Sequence, residues 1–224
     1  MEKKLVVFAP HPDDEALGCG GTLSKRISEG WEIFIVFVTC GENALSDIFG
    51  ISFNPSPAEL KAMRINEAYA AAKVLGVHSE NLIFFNFEDG KVCYHKERLR
   101  KEALLLLKRL EPTEVYFPYE RDVNIDHAAT SEIIAYCIRE INKTILHFKY
   151  SIATKFSRLS PLLARVLNPI LHNVFYVDVS GFIQKKREII NEYKSQIGII
   201  SDRQERPVIT DVSRFLKNRE MFFT

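Results

Sequence analysis

Several signals of a specialised environment are missing from the 224-residue chain. Its four cysteines, Cys19, Cys40, Cys93 and Cys137, form no C-x-x-C pair, which argues against a thiolate zinc site or redox motif and predicts reduced, buried side chains. Charge of one sign is not in excess: 30 Lys and Arg against 29 Asp and Glu leave +1, so no global field marks a nucleic-acid binder. No apolar run approaches transmembrane length. The first, Leu5 to Ala9, stops at Pro10 and the acidic residues behind it, too short for a signal-peptide core. Fixed-period repeats and low-complexity tracts are absent too, which disfavours solenoids and propellers. A cytoplasmic protein with no nucleic-acid partner and no transmembrane segment is expected.

What is present suits an ordinary core: 46% hydrophobic, 11% aromatic and 26% charged residues, enough for one domain over 1–224 without disulfide staples. Apolar runs rich in β-branched residues alternate with segments of helical period. Strands are predicted at Leu5 to Ala9, Trp31 to Thr39, Leu82 to Phe87, Glu114 to Phe117 and Val174 to Val179. Helices are predicted at Glu15 to Glu29, Ala58 to Leu75, Lys96 to Leu110, from near His127, and at Phe182 to Ile197. The fold class this implies is α/β, a Rossmann-like three-layer α/β/α sandwich on a mostly parallel sheet. Residues 148–173 break the rhythm, with Lys149, Lys155, Arg158 and Arg165, no acidic residue, and two prolines. They read as a basic cap or insertion, either a solvated lid or a surface for an anionic substrate or membrane face.

Chemistry concentrates at two predicted strand ends. The first strand runs into His11-Pro12-Asp13-Asp14-Glu15, and the fourth is followed by Glu120-Arg121-Asp122-Val123-Asn124-Ile125-Asp126-His127. Ligands bind at the carboxyl ends of strands in open α/β sheets, so both clusters lie at the productive edge. Adjacent Asp13 and Asp14 must point in different directions, letting one hold a metal while its neighbour handles protons. The plain alternative, an acidic helix cap worth ~0.3–1 kcal/mol per carboxylate, accounts for one Asp and not the group. A His/Asp/His set with an open fourth position is what catalytic zinc uses.

With these residues in view, the sequence resembles the PIG-L/LmbE-like family of zinc-dependent N-acetylglucosaminyl deacetylases. The resemblance rests on Ala9 to Glu15 with Gly18-Cys19-Gly20-Gly21, on Arg64-x-x-Glu67-Ala68, on Asp126-His127, and on Tyr193-Lys194-Ser195-Gln196. It implies one Zn2+ per chain held by His11, Asp14 and His127, with Asp13 as general base. The implied activity is a metal-dependent amidohydrolase acting on a linear amide, an N-deacetylase releasing acetate and a free amine from an N-acetylated amino sugar or sugar conjugate. The common family pattern has His-Pro-Asp-His at the second cluster, whereas this chain has Asn124-Ile125-Asp126-His127. Asn124 donates a hydrogen bond but delivers no proton, so Asp13 would carry both transfers with Asn124 as an oxyanion or substrate contact.

Asp126 is read as a catalytic-site residue orienting His11 or another ligand, or else as a helix N-cap. Arg64 looks like the family's substrate-contacting arginine, against a simple ion pair with Glu67. Glu42, Asp89 and Gln196 are further candidates for substrate binding. Gly18, Gly20 and Gly21 fit close packing better than a nucleotide loop. His78, His95, His147 and His172 read as ordinary surface or core residues. Two other functions stay open: a sugar-conjugate binding protein that lost turnover through Asn124, and a metal-dependent phosphoesterase. The expected partner is a small-molecule sugar conjugate, anionic if the basic segment touches it; a homo-oligomer is also open.

Overall fold

Alternation along the first strand sets the layers. In β1 (Lys4–Ala9) the side chains of Leu5, Val7 and Ala9 enter one core and those of Val6 and Phe8 the other, all fully buried. A strand buried on both faces has no polar side, which is why the run reads as continuously apolar. The computed structural model describes residues 3–141, 144–152 and 174–224. Within them the strands are β1, β2 (Glu32–Thr39), β3 (Leu82–Phe87), β4 (Glu114–Pro118), β5 (Leu146–Tyr150), β6 (Val174–Asp178) and β7 (Arg219–Phe223). They form one sheet ordered β3-β2-β1-β4-β5-β7-β6. The first five strands are parallel; β7 runs antiparallel to both β5 and β6.

Helices α1 (Asp14–Ser28), α3 (Pro57–Leu75) and α6 (Ile183–Asn191) cover one face, and α4 (Lys96–Leu110) and α5 (Ile125–Ile141) the other. Short α2 (Ala44–Phe49) and α7 (Lys194–Ile197) lie in the loops. The expected Rossmann-like α/β/α sandwich is what the chain forms. Helix α3 shows why it begins and ends where it does. Ser56 and Glu59 make a reciprocal capping box, Pro57 opens the first turn, and Gly76 closes the helix at φ 96°.

Helix α1 is interrupted at Cys19, whose φ of −143° is not helical. The freed amides of Gly21 and Thr22 donate to the buried Glu220 carboxylate at 2.9 and 2.7 Å, and Lys186 Nζ donates to Leu17 O at 2.8 Å and to Glu220 at 2.6 Å. A Cβ on Gly18 would collide with the Tyr150 ring, and one on Gly21 would lie 2.9 Å from Val179 Cβ. Close packing, not phosphate binding, therefore accounts for these glycines.

The sequence-based reading needs three corrections. The expected cap begins too early, because residues 148–150 belong to β5; its residues 153–173, and His172 with them, lie outside the described residues. The late helix expected over 182–197 divides into α6 and α7. Strands β5 and β7 and helix α2 were not anticipated, and β7 brings the antiparallel pairing. Among the described residues, no helix is long and apolar enough to cross a membrane. The cysteines are free, with Cys93 half-buried and the other three buried.

Candidate metal centre

The strand order reverses between β1 and β4: β2 and β3 extend the sheet on one side of β1, whereas β4 pairs, also parallel, on its other side. A crevice at the carboxyl ends of two such strands is where doubly wound folds place ligands. Here both sequence clusters enter one cavity of about 330 Å³, lined among others by His11, Asp13, Asp14, Arg64, Asp89, Asp122, Asn124, His127 and Gln196.

Three donor atoms converge in it. His11 Nδ1 and His127 Nε2 are 3.2 Å apart, and each lies 3.1 Å from Asp14 Oδ2. The outer nitrogens face carboxylates: His11 Nε2 is 3.0 Å from Asp89 and 3.6 Å from Asp126, and His127 Nδ1 is 3.3 Å from Asp122. Carboxylates on the outer side favour the tautomers that carry the ring protons there, which would leave two imidazole lone pairs and one carboxylate oxygen aimed into a common space. Three such donors at these separations suit a tetrahedral cation with bonds of about 2.0–2.1 Å, one position remaining open. The residues therefore fit a bound divalent metal.

Electrostatics point the same way. Burial alone would lower both imidazoles, yet the Asp126, Asp14 and Asp89 bonds hold His11 well above the ordinary histidine value. The Asp14 charge and the Asp122 carboxylate 3.3 Å from Nδ1 lift His127 to about 9 against the same burial. Asp14 is opposed by burial but held down by His127 and His11. Carboxylates that stabilise imidazolium in this way make a negative well for any cation. Asp89, also resisting burial, is held at about 2 by His11. Asp13 differs: burial pushes it up to about 7 although the Arg64 charge pulls it down.

Asp126 acts on the loop after β3 as well. It accepts from Gly90 N at 2.7 Å and from Val92 N at 3.1 Å. The helix-cap alternative for Asp126 is overturned, because Asn124 fills that place: its Oδ1 accepts from Asp126 N at 2.8 Å and from His127 N at 3.3 Å. Nor does Asp13 cap α1; its side chain makes no capping bond, and its backbone sits at φ 130°, ψ −26°. Arg64 is not paired with Glu67. It is buried, donates from Nη1 to Gly41 O at 3.0 Å and from Nη2 to Pro12 O, and lies 3.3 Å from Asp13 Oδ1. Gly41 is required at φ 65°, where a Cβ would run into that guanidinium. Glu67 instead accepts from Ser195 N and Oγ at 2.7 and 2.6 Å.

Of the other residues expected at substrate, Gln196 lines the cavity while its Nε2 donates to Ser195 Oγ at 2.9 Å. Asp89 lines it too, but is engaged with His11 and with Asn43 N at 2.9 Å. Glu42 is not among the lining residues; its Oε1 accepts from Asp89 N at 3.2 Å. Sequence reasoning gave no role to Asp122 or Glu15, although both lie inside the two clusters. The only available signal was the density of carboxylates around each histidine.

Residues 6–138 match the family described as PIG-L: GlcNAc-PI de-N-acetylase, a stretch that contains both clusters. The chain is 30% identical over 131 residues to the diacetylchitobiose deacetylase of Thermococcus kodakarensis, covering 56% of this chain and 46% of that protein. It spans about half or less of the length of the first curated relatives it matches. Among solved structures, the N,N'-diacetylchitobiose deacetylase of Pyrococcus horikoshii superposes with TM-score 0.68 at 24% identity, over 87% of this chain and 70% of that one. The zinc-inhibited form of teicoplanin deacetylase Orf2 superposes with TM-score 0.73 at 14% identity, over 99% and 97%. At such identities these two are likenesses of fold. With the family match running from β1 into the last turn of α5 and enclosing both strand ends that build the site, the chain belongs to the PIG-L family.

Proposed function

We propose that the chain is a zinc-dependent N-deacetylase that removes the acetyl group from an N-acetylated amino sugar or a small sugar conjugate. The observation that carries this reading is the triangle of His11, Asp14 and His127 donors, 3.1–3.2 Å on a side, sharing its cavity with the carboxylate of Asp13. The diacetylchitobiose deacetylase of Thermococcus kodakarensis, named for an acetylated sugar, supports the choice of substrate class.

His11, Asp14 and His127 would hold the metal, and Asp126, Asp89 and Asp122 keep the two imidazoles in the ligating tautomer. A zinc ion in that position supplies acidification of water and stabilisation of a developing oxyanion. Asp13 takes the proton from the attacking water and returns it to the leaving amine, so one carboxylate serves as base and then acid. Burial raises its affinity for that proton above the ordinary carboxylate's. Asn124, with Oδ1 committed to the start of α5, has its amide N–H left to donate to the substrate. Gln196 is a second polar contact on the cavity wall.

The test is metal analysis of the purified protein together with acetate release from a panel of N-acetyl sugars and their conjugates. One zinc per chain, lost in His11→Ala together with activity, is the expected result. A protein that binds no divalent metal overturns the proposal. Metal binding without turnover, with turnover gained in Asn124→His, would make it a binding protein instead.

A further inference from the structure

The C-terminal motif Tyr193-Lys194-Ser195-Gln196 contributes no metal donor, and its tyrosine is fully buried. Tyr193 instead donates its hydroxyl hydrogen to Glu15 Oε1, and the other Glu15 oxygen accepts from the backbone N–H of Asp13 at 3.2 Å. Asp13 is a non-glycine residue at φ 130°, a backbone state that persists only where the surroundings over-determine it. Its neighbours supply that determination from two sides. Arg64 holds the Pro12 carbonyl and the Asp13 carboxylate, while Glu15 holds the Asp13 amide. The tyrosine is itself anchored, because Ser195, two residues on, is bound through N and Oγ to Glu67 of α3.

We infer that Tyr193 and Glu15 are positioning residues that hold Asp13 in its left-handed backbone conformation, turning its carboxylate away from Asp14 and into the cavity as the proton-handling group. This rests on the reading of Asp13 as the base. One Glu15 oxygen accepts from the Asp13 amide and the other shares a hydrogen with the Tyr193 hydroxyl, so a side chain lacking both oxygens loses both contacts. Loss of the tyrosine hydroxyl would leave a buried carboxylate oxygen without its partner and free Glu15 to shift, and Asp13 would be held from the Arg64 side alone.

Two measurements test the inference. The first needs no activity: in metal-free protein, the Asp13 amide should exchange its hydrogen at least about tenfold faster in Tyr193→Phe than in the unmodified chain, with exchange in β2 unchanged. The second uses the zinc-loaded protein. Tyr193→Phe and Glu15→Ala should each lower kcat about tenfold or more with KM and zinc affinity unaltered, and Tyr193→Phe should cost nothing further in an Asp13→Asn background. A purely structural tyrosine would lower activity in both backgrounds by the same factor, which overturns the inference. So would unchanged Asp13 exchange, or a loss of zinc affinity in step with kcat. If the unmodified chain deacetylates nothing, the reading of function falls, while the exchange experiment still decides whether Tyr193 and Glu15 hold Asp13.

Discussion

The two strand ends that meet at the site are built in opposite ways. After β1, every residue from Ala9 to Leu17 is buried, and Asp13 occupies a backbone state that other groups must hold in place. After β4, Glu120, Arg121, Val123, Asn124 and Ile125 are exposed, and His127 arrives on an ordinary helix started by an Asn cap. Backbone strain is therefore concentrated at the end that supplies Asp13 together with two of the three proposed metal donors, His11 and Asp14, whereas the third, His127, needs only a rigid helix and one carboxylate behind it. The difference teaches which end tolerates change.

The largest effect is expected from Asp13→Asn, which should lower turnover about 10²–10⁴-fold while one zinc per chain is retained, read by steady-state kinetics beside metal analysis. Parallel loss of zinc would show that Asp13 also supports the metal and is not a separate proton carrier. Next come the carboxylates behind the imidazoles. Asp126→Asn and Asp122→Asn should each weaken zinc affinity about 10–100-fold in a chelator competition. Asp126 should give the larger loss, because it also fastens Gly90 and Val92.

Gly21→Ala attacks the buried end through packing. A methyl group facing Val179 should lower stability by about 1–3 kcal/mol in a denaturant melt, with kcat much less affected than in Asp13→Asn. The smallest effect belongs to the exposed end. Asn124→Ala should cost about 1 kcal/mol through the lost cap, whereas Asn124→Ser should keep that stability. If the Asn124 amide reaches substrate, Asn124→Ser lowers kcat/KM about tenfold, the scale of one hydrogen bond. Unchanged kcat/KM would reduce Asn124 to a cap.

The same contrast governs what could be read from the sequence. Leu82 to Phe87 and Lys96 to Leu110 have the boundaries expected of them, because burial on a sheet or along one helix face writes itself as a run or a period. Strand β5 has one fully buried residue in five, and β7 begins on the exposed Arg219, so neither carries such a run. Their pairing comes from partners far along the chain. At the site, His11, Asp13, Asp14 and His127 were legible as a motif, and all four line one cavity. The partners of Arg64, Glu42 and Asp89 were not legible, since Arg64 binds backbone carbonyls and Glu42 and Asp89 bond each other's loop. No sequence spacing encodes a contact made to main-chain atoms of another element.

The interruption of α1 has a kinetic corollary. The amides of Gly21 and Thr22 find their acceptor 199 and 198 residues away, on β7. A polypeptide leaving the ribosome in order would expose those donors to water until β7 had been made, so the segment bearing Asp13 and Asp14 should reach its final form only after β7 has emerged. Pulse-labelling of nascent chains of increasing length would see protection at Gly21 only once Glu220 has emerged.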